Sequence, residues 1–235
     1  TCPSQNIVDA FEMRTTGLPI SDPSSGYDPA NPYNNRDPRL ALIVVLTASN
    51  MGINTNNTPR VVEAFSGGAD ATGSRTGATT TGYYLRKMNV ENYNLAATNT
   101  RAKSWVLMRF AEVLLNYAEA SNEAFGPDAR PSFGGVAAIR SAREAVNMVR
   151  ARVGMPAIAA GISQAQLRER IRNERRVELA FEEHRFFDVR RWKIAEQTES
   201  QPLRGMRINR DVTGALTYQS FIVEPRVFDS RMYLY

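Results

Sequence analysis

The sequence predicts a mainly α fold in which a scaffold of long helices carries a loop-rich, partly β portion. Three observations predict it. Residues 1–103 are rich in Gly, Pro, Asn, Ser and Thr, with only short apolar runs between turn signals. Residues 104–195 carry apolar side chains at helical spacing. Residues 196–235 loosen again into an irregular tail with one strand-like stretch. These textures divide one region into a loop-rich portion (1–103), a helical scaffold (104–195) and a tail (196–235).

In chain order, DAFEMRTTG (Asp9–Gly17) reads as a short helix closed by glycine. YDPANPYNNRDPR (Tyr27–Arg39) holds its prolines and asparagines too densely for a regular element. LALIVVLTA (Leu40–Ala48) is too short to span a bilayer and reads as a buried strand or short core helix. Ser66–Gly82 has the composition of a flexible surface loop, and Tyr83–Val90 alternates like a strand. The first long helix carries Leu107, Phe110, Ala111, Leu114, Ala118, Ser121 and Phe125 on one stripe and stops at Gly126-Pro127. A second, from about Val136 to Val153, carries Ile139, Ala142, Val146, Val149 and Val153. The third opens on the capping-box pattern Ser163-Gln164-Ala165-Gln166 and extends to about Ile194. A strand is expected around Tyr218–Val223. Two such helices joined by a Gly/Pro turn and lined with small residues look like a tetratricopeptide-type hairpin, a unit that needs neighbours to bury its faces.

At 235 residues, 43% apolar and 23% charged, the chain has enough material for a core and an ordinary globular composition. A net charge of +5 permits an anionic partner without demanding one. The single cysteine, Cys2, can form neither an internal disulfide nor a Cys-based zinc site. The chain begins at TCPSQ and stops at MYLY in mid-pattern, as a fragment would.

The most charged stretch is RNERRVELAFEEHRFFDVRRWKIAE, Arg172 to Glu196. Glu174, Glu178 and Glu182 recur every four residues and invite a glycosidase reading. A general acid, however, needs an apolar or like-charged setting, and Arg175, Arg176 and Arg185 are close neighbours. A di-metal site needs Glu-x-x-His, whereas the only histidine, His184, has Phe181 at that position. Nucleic acid prefers a face of one sign, and here acids interleave with the bases. The remaining reading is an ion-paired architectural helix built from the i, i+3 pairs Arg175–Glu178, Glu182–Arg185, Arg185–Asp188 and Asp188–Arg191.

Gly68–Arg75 echoes a phosphate-binding loop, but Arg75 follows Ser74 where lysine should precede a hydroxyl residue, and no apolar strand leads in. Asp28, Asn31, Asn34, Asn35 and Asp37 offer oxygens of the kind calcium takes, without EF-hand spacing. Asx turns account for the same residues more economically, so no cofactor is expected, calcium being the one cation these oxygens would suit. Tyr27, Tyr33, Tyr83, Tyr84, Tyr93 and Trp105 lie in or beside the loop-rich portion. Rings with Asn or Asp neighbours hold sugars by stacking and hydroxyl bonding, and the same rings also anchor loops. Tyr27, Tyr33, Asn34 and Tyr83 are the ligand contacts chosen on this chemistry.

Six segments in order carry a resemblance: PSQNIVDAFEM (Pro3–Met13), NPYNNRDPRL (Asn31–Leu40), TGYYLRKM (Thr81–Met88), VLMRFAEVLLNYAEASNEAFG (Val106–Gly126), VNMVRARVGMP (Val146–Pro156) and NERRVELAFEEHRFFDVRRW (Asn173–Trp192). Together they resemble the C-terminal half of the SusD/RagB family of Bacteroidetes surface nutrient-binding lipoproteins. The resemblance implies a tetratricopeptide-like scaffold under a loop-rich ligand side. It also implies non-catalytic binding of glycans, or less often peptides, at the cell surface, as a lid on a SusC-type TonB-dependent transporter. Localisation at the outer-membrane surface through a lipid anchor outside this stretch follows from the same likeness, and Cys2 is not read as that anchor. Glu183 stands where the family usually has glycine, which reads as a surface change of little consequence. Ligand-contacting positions vary in the family, so none carries over. The competing functions are a peptide-binding RagB-like member, a tetratricopeptide-like protein-interaction scaffold, and a glycosidase using Glu174/Glu178 or Glu182.

Overall fold

In the computed structural model, which describes residues 1–53, 58–90, 102 and 104–233, the chain is mainly helical, with 31% helix against 15% strand. The loop-rich portion contributes α1 (Gln5–Val8), α2 (Arg39–Ile43), β1 (Val44–Val45), β2 (Asn50–Ile53), β3 (Pro59–Val61) and β4 (Tyr84–Leu85). The scaffold contributes α3 (Phe110–Phe125), β5 (Ser132–Phe133), β6 (Val136–Ala137), α4 (Ala142–Arg152), α5 (Gln164–Glu178), α6 (His184–Arg191) and α7 (Ala195–Thr198). The tail is the hairpin β7 (Leu203–Arg210) and β8 (Leu216–Glu224). Tyr93 lies outside the described residues.

Several boundaries differ from the sequence reading for local reasons. The helix near the start is Gln5–Val8, not Asp9–Gly17. Arg36 takes the Val8 and Phe11 carbonyls, and Met13 bridges Arg36 in extended form, so helical bonding stops. Leu40–Ala48 is both things it was read to be, helix α2 passing directly into β1, which pairs with β4. The strand at Tyr83–Val90 shrinks to Tyr84–Leu85. Val136 belongs not to α4 but to a hairpin whose turn is Gly134-Gly135, both at positive φ, as a tight hairpin requires. The α4 helix starts later, on a capping box between Ser141 and Glu144. The capping box at Ser163 and Gln166 is formed as expected.

The long third helix is broken. The α5 helix ends at Glu178 because Lys87 donates to the Glu178 and Ala180 carbonyls (3.3 and 2.8 Å) and Arg109 to that of Glu178 (2.6 Å). Cations at a helix C-terminus satisfy its orphan carbonyls and oppose the macrodipole. The chain re-enters α6 through Phe181 and Glu183, with φ of 61° and 67°. Glu183 is therefore no neutral surface change: its position has the left-handed backbone that glycine adopts without strain.

Ser66–Gly82 is irregular but not wholly a surface loop, since Asp70, Thr79 and Thr81 are buried. Asp70 receives the Glu63 amide, and Thr81 donates to the Pro3 carbonyl. The loop closes against β7: Met206 N–H donates to the Thr81 carbonyl, and a Cβ on Gly82 would lie 2.2 Å from the Met206 oxygen. No residue larger than glycine fits there.

Two apolar clusters organise the molecule. Ala118, Ala142, Ala145, Val146, Leu167 and Ile171 join α3, α4 and α5, a packing consistent with a tetratricopeptide-like unit. Val8, Phe11, Leu40, Val44, Tyr83, Val177, Met206 and Ile208 gather the loop-rich portion, the end of α5 and β7. Of the expected stripe only Ala118 and Ser121 are buried and Ala111 and Leu114 half-buried, while Leu107, ahead of α3, is 87% exposed and Phe110 and Phe125 are also exposed; Leu115, outside that stripe, is buried. Val136 and Ile139 of the second stripe are exposed as well.

Candidate functional site

The two candidate sites in the sequence, carboxylates on the third helix and rings on the loops, part company in three dimensions. The carboxylates face inward. Arg39 forks onto Asp37 and also reaches Glu174 (2.6 Å) and Glu178 (2.8 Å) through one nitrogen. Arg150 joins Glu174 to Glu12, both at 2.9 Å, and Arg170 adds a contact to Glu12. Glu178 also receives Arg109 and Arg152, and Glu182 receives Arg109 and Lys87. Burial alone would raise Glu178 and Glu182, but the bonds from Arg109, Arg39 and Lys87 hold both below the ordinary glutamate value. Neither Glu178 nor Glu182 is the raised acid that glycosidase chemistry needs.

The pairing partners correct the sequence reading. Of the four i, i+3 pairs expected, Asp188–Arg191 forms, at 3.0 Å. Arg175 pairs with Asp188 (2.7 Å) instead of Glu178, and Arg185 with Glu199 (3.3 Å) instead of Glu182 or Asp188. Arg191 also bonds Glu119 on α3. The charges tie distant segments together, because a buried carboxylate one turn away on the same helix cannot cross-link elements.

The calcium-type oxygens are engaged in turns and ion pairs. Asp28 accepts from the Ala30 amide and Asn31, Asn35 accepts from Thr15, and Asp37 holds Arg39. Among the described residues no group of three or more His, Cys, Asp or Glu side chains is arranged to hold a metal ion.

The rings converge on a cleft of about 370 Å³ between α1, the Ile20–Pro29 loop and the β7–β8 hairpin. Its walls include Tyr27, Tyr218, Gln5, Asp9, Arg204 and Ser220. Antiparallel pairing sets Ile208 opposite Tyr218 and Met206 opposite Ser220. Met206 and Ile208 seal the floor into the core, leaving Tyr218 half-buried above them. Tyr33 braces Tyr218 edge-on, with ring centres 5.3 Å apart. The Arg36 guanidinium lies 5.4 Å from the Tyr27 ring centre, a cation–π support.

A hydrogen-bond relay stiffens the cleft. The Tyr33 and Tyr83 hydroxyls are 3.0 Å apart, Tyr83 donates to Gln5 Oε1, and Gln5 Nε2 donates to Asp9 Oδ1 at 2.6 Å. Burial pushes the Asp9 carboxyl above its ordinary value against the Gln5 bond and nearby arginines. Among the described residues Asp9 Oδ2 receives no side-chain hydrogen bond.

The sequence-chosen contacts thus separate. Tyr27 lines the cleft, and Tyr33 backs it. Tyr83 is 0% exposed, so its ring offers no face to a ligand and its part is the relay. Asn34 is exposed on a turn and does not line the cleft. Tyr218, Asp9, Gln5, Arg204 and Ser220 were missed. The alternation of β8 marks Tyr218 as half-buried, but nothing local says that Tyr27 lies opposite it.

A larger groove of about 650 Å³ runs along α6 beside Phe186, Phe187 and Trp192. There Asp188 pairs with Arg175 and Arg191 and Arg185 with Glu199, whereas the smaller cleft sets Asp9 and Arg204 beside two tyrosine rings.

Comparison with known proteins decides the family, for the SusD family model matches residues 1–235. The chain belongs to the SusD family. Its fold superposes on a SusD-like protein of Bacteroides fragilis NCTC 9343 with a TM-score of 0.77 and 32% identity, over 99% of this chain and 43% of the other. A SusD-like carbohydrate binding protein from the same strain gives 0.69 and 26% identity, over 98% of this chain and 44% of that one. SusD-like protein P2 of Formosa agariphila is 35% identical over 128 residues, 50% of this chain and 24% of that protein. The chain therefore spans less than half the length of these SusD relatives.

Proposed function

We propose that this SusD-family chain is the glycan-binding part of a non-catalytic cell-surface subunit that serves a SusC-type TonB-dependent uptake system. The observation that carries the reading is the Tyr27/Tyr218 cleft with Asp9 preset at its wall. Half-buried rings present flat faces to sugar C–H groups, and a fixed carboxylate oxygen accepts from hydroxyls. One of the similar structures is a carbohydrate binding protein, which supports the same assignment. Stacking with a few hydroxyl contacts gives affinities of roughly −4 to −8 kcal/mol, millimolar to micromolar.

Absence of catalysis is supported by Glu174, Glu178 and Glu182, each tied to arginine or lysine. Surface localisation through a lipid anchor outside this stretch is proposed on family membership. Among the described residues no helix is long and apolar enough to cross a membrane. Affinity electrophoresis against soluble polysaccharides tests the function. Retardation that is lost in Tyr218→Ala supports it; indifference to every glycan, with binding to peptides instead, overturns it in favour of a peptide carrier.

A further inference from the structure

Asp9 sits within a ring of positive charge that it does not neutralise. Arg36, Arg176 and Arg204 are all within Coulombic reach of its carboxylate. Among the described residues it forms an ion pair with none of them, and its side-chain hydrogen bond comes from Gln5. The three guanidinium groups differ in what they are bound to. Arg36 is buried and donates to the Val8, Phe11 and Pro32 carbonyls. Arg176 donates to the Asn6 carbonyl at 2.9 Å. Arg204 is exposed on the cleft wall, and its guanidinium makes no hydrogen bond or ion pair among the described residues. Its backbone is nonetheless fixed, the amide donating to Asn6 Oδ1 at 2.8 Å. The other acid nearby, Asp28, lies on an exposed turn beside Tyr27, with both oxygens taken by Ala30 and Asn31.

Of these charged groups only Asp9 and Arg204 line the cleft, and the Arg204 fork is anchored at its base and open at its tip. Arg36 and Arg176 donate to backbone carbonyls and form no ion pair among the described residues. A planar guanidinium recognises carboxylate and sulfate oxygens by paired N–H donors, which a neutral hydroxyl cannot match. Resting on the glycan reading above, we infer that the cleft selects acidic saccharides, those carrying a carboxylate or a sulfate ester, with Arg204 reading the anionic group while Tyr27 and Tyr218 hold the ring. The geometry suits one anionic substituent per bound ring: Arg204, Tyr218 and Ser220 share one face of the β7–β8 hairpin.

Isothermal titration with oligogalacturonate, a sulfated galactan oligosaccharide and a neutral cello-oligosaccharide tests this, on the wild-type chain, Arg204→Gln and Tyr218→Ala at low and physiological salt. Expected is tighter binding of at least one acidic ligand than of the neutral one. Arg204→Gln lowers the acidic-to-neutral affinity ratio about three- to tenfold, the range of a well-oriented charge pair at a partly exposed site. Tyr218→Ala weakens acidic and neutral ligands together. The carboxylate and sulfate arms show which anion is preferred. Neutral binding that depends on Tyr218, with a ratio indifferent to Arg204, overturns the acidic preference and leaves the glycan site standing. Acidic binding indifferent to both substitutions is general attraction to a basic chain and overturns it too. Tyr218-independent or absent binding of every ligand overturns the glycan site itself.

Discussion

Replacing Arg39 by methionine removes the guanidinium that holds the charged framework together. Arg39 is 5% exposed, and Asp37, Glu174 and Glu178 are each 2% exposed at their side chains. Without it the three carboxylates fare unequally. Glu174 keeps Arg150, and Glu178 keeps Arg109 and Arg152. Asp37 has no other ion-pair partner among the described residues. Methionine fills much of the volume, so the loss is electrostatic and not a cavity. Stranding a buried charge typically costs about 3–5 kcal/mol. For a chain of this size that lowers the melting midpoint by roughly 6–20 °C. The deficit also has a pH signature. A stranded buried carboxylate has a raised folded-state pKa, so its cost is full at neutral pH and declines as pH falls through that raised value. Urea denaturation followed by circular dichroism at pH 7 and pH 5 reads both effects. A loss under about 1 kcal/mol at pH 7, or one identical at both pH values, refutes the framework argument.

The other expectations are smaller. Glu183→Gly relieves a positive-φ residue and raises stability by about 0.5–1 kcal/mol in thermal melts; a lower midpoint contradicts the strain assigned to that turn. Ser163→Ala breaks the capping box of α5 and costs about 1 kcal/mol in the same assay. Wild-type stability should rise slightly from neutral to mildly acid pH, as Asp9 and Glu12, pushed upward chiefly by burial, take up protons and their cost is recovered. Below about pH 4 it should fall, because Glu178 and Glu182 contribute stability above the ordinary carboxylate value that is lost through their lowered folded values. A steady decline from pH 7 downward would show that the raised pair does not matter.

What could be read locally was read well. The α3 helix with its stop at Gly126, the Ser163 cap and the density of turn residues before Arg39 each report on neighbours within a turn or two. The break in the third helix is a different kind of fact. Nothing between Glu178 and Glu183 is glycine or proline, and the stop is imposed by Lys87 and Arg109 from elsewhere in the chain. Three of the four expected ion pairs failed for the same reason: sequence spacing offers i, i+3 partners, while burial rewards cross-linking between segments. Strand β7, LRGMRINR, stayed hidden because arginines interrupt its apolar alternation, and its pairing with β8 is what turns Met206 and Ile208 inward. Half the cleft was missed with it. Tyr83 misled because its type and neighbourhood suit sugar binding, whereas its 0% exposure comes from packing that no local pattern records.

The charged framework and the ring-lined cleft also depend on one another. The α1 helix has four residues, too few to be stable by itself. Its position is set by side chains from other elements: Arg176 on the Asn6 carbonyl, Arg36 on those of Val8 and Phe11, and Asn173 on that of Ala10. Glu12, just beyond, is clamped by Arg150 and Arg170. Gln5 and Asp9, which present the polar wall of the cleft, ride on this segment between those attachments. A site held by a loop alone loses affinity to the entropy of ordering it, whereas here ordering is completed by folding. Under the proposed function, Arg170, Asn173 and Arg176 of the third helix therefore serve recognition indirectly, by fixing the segment that carries Asp9.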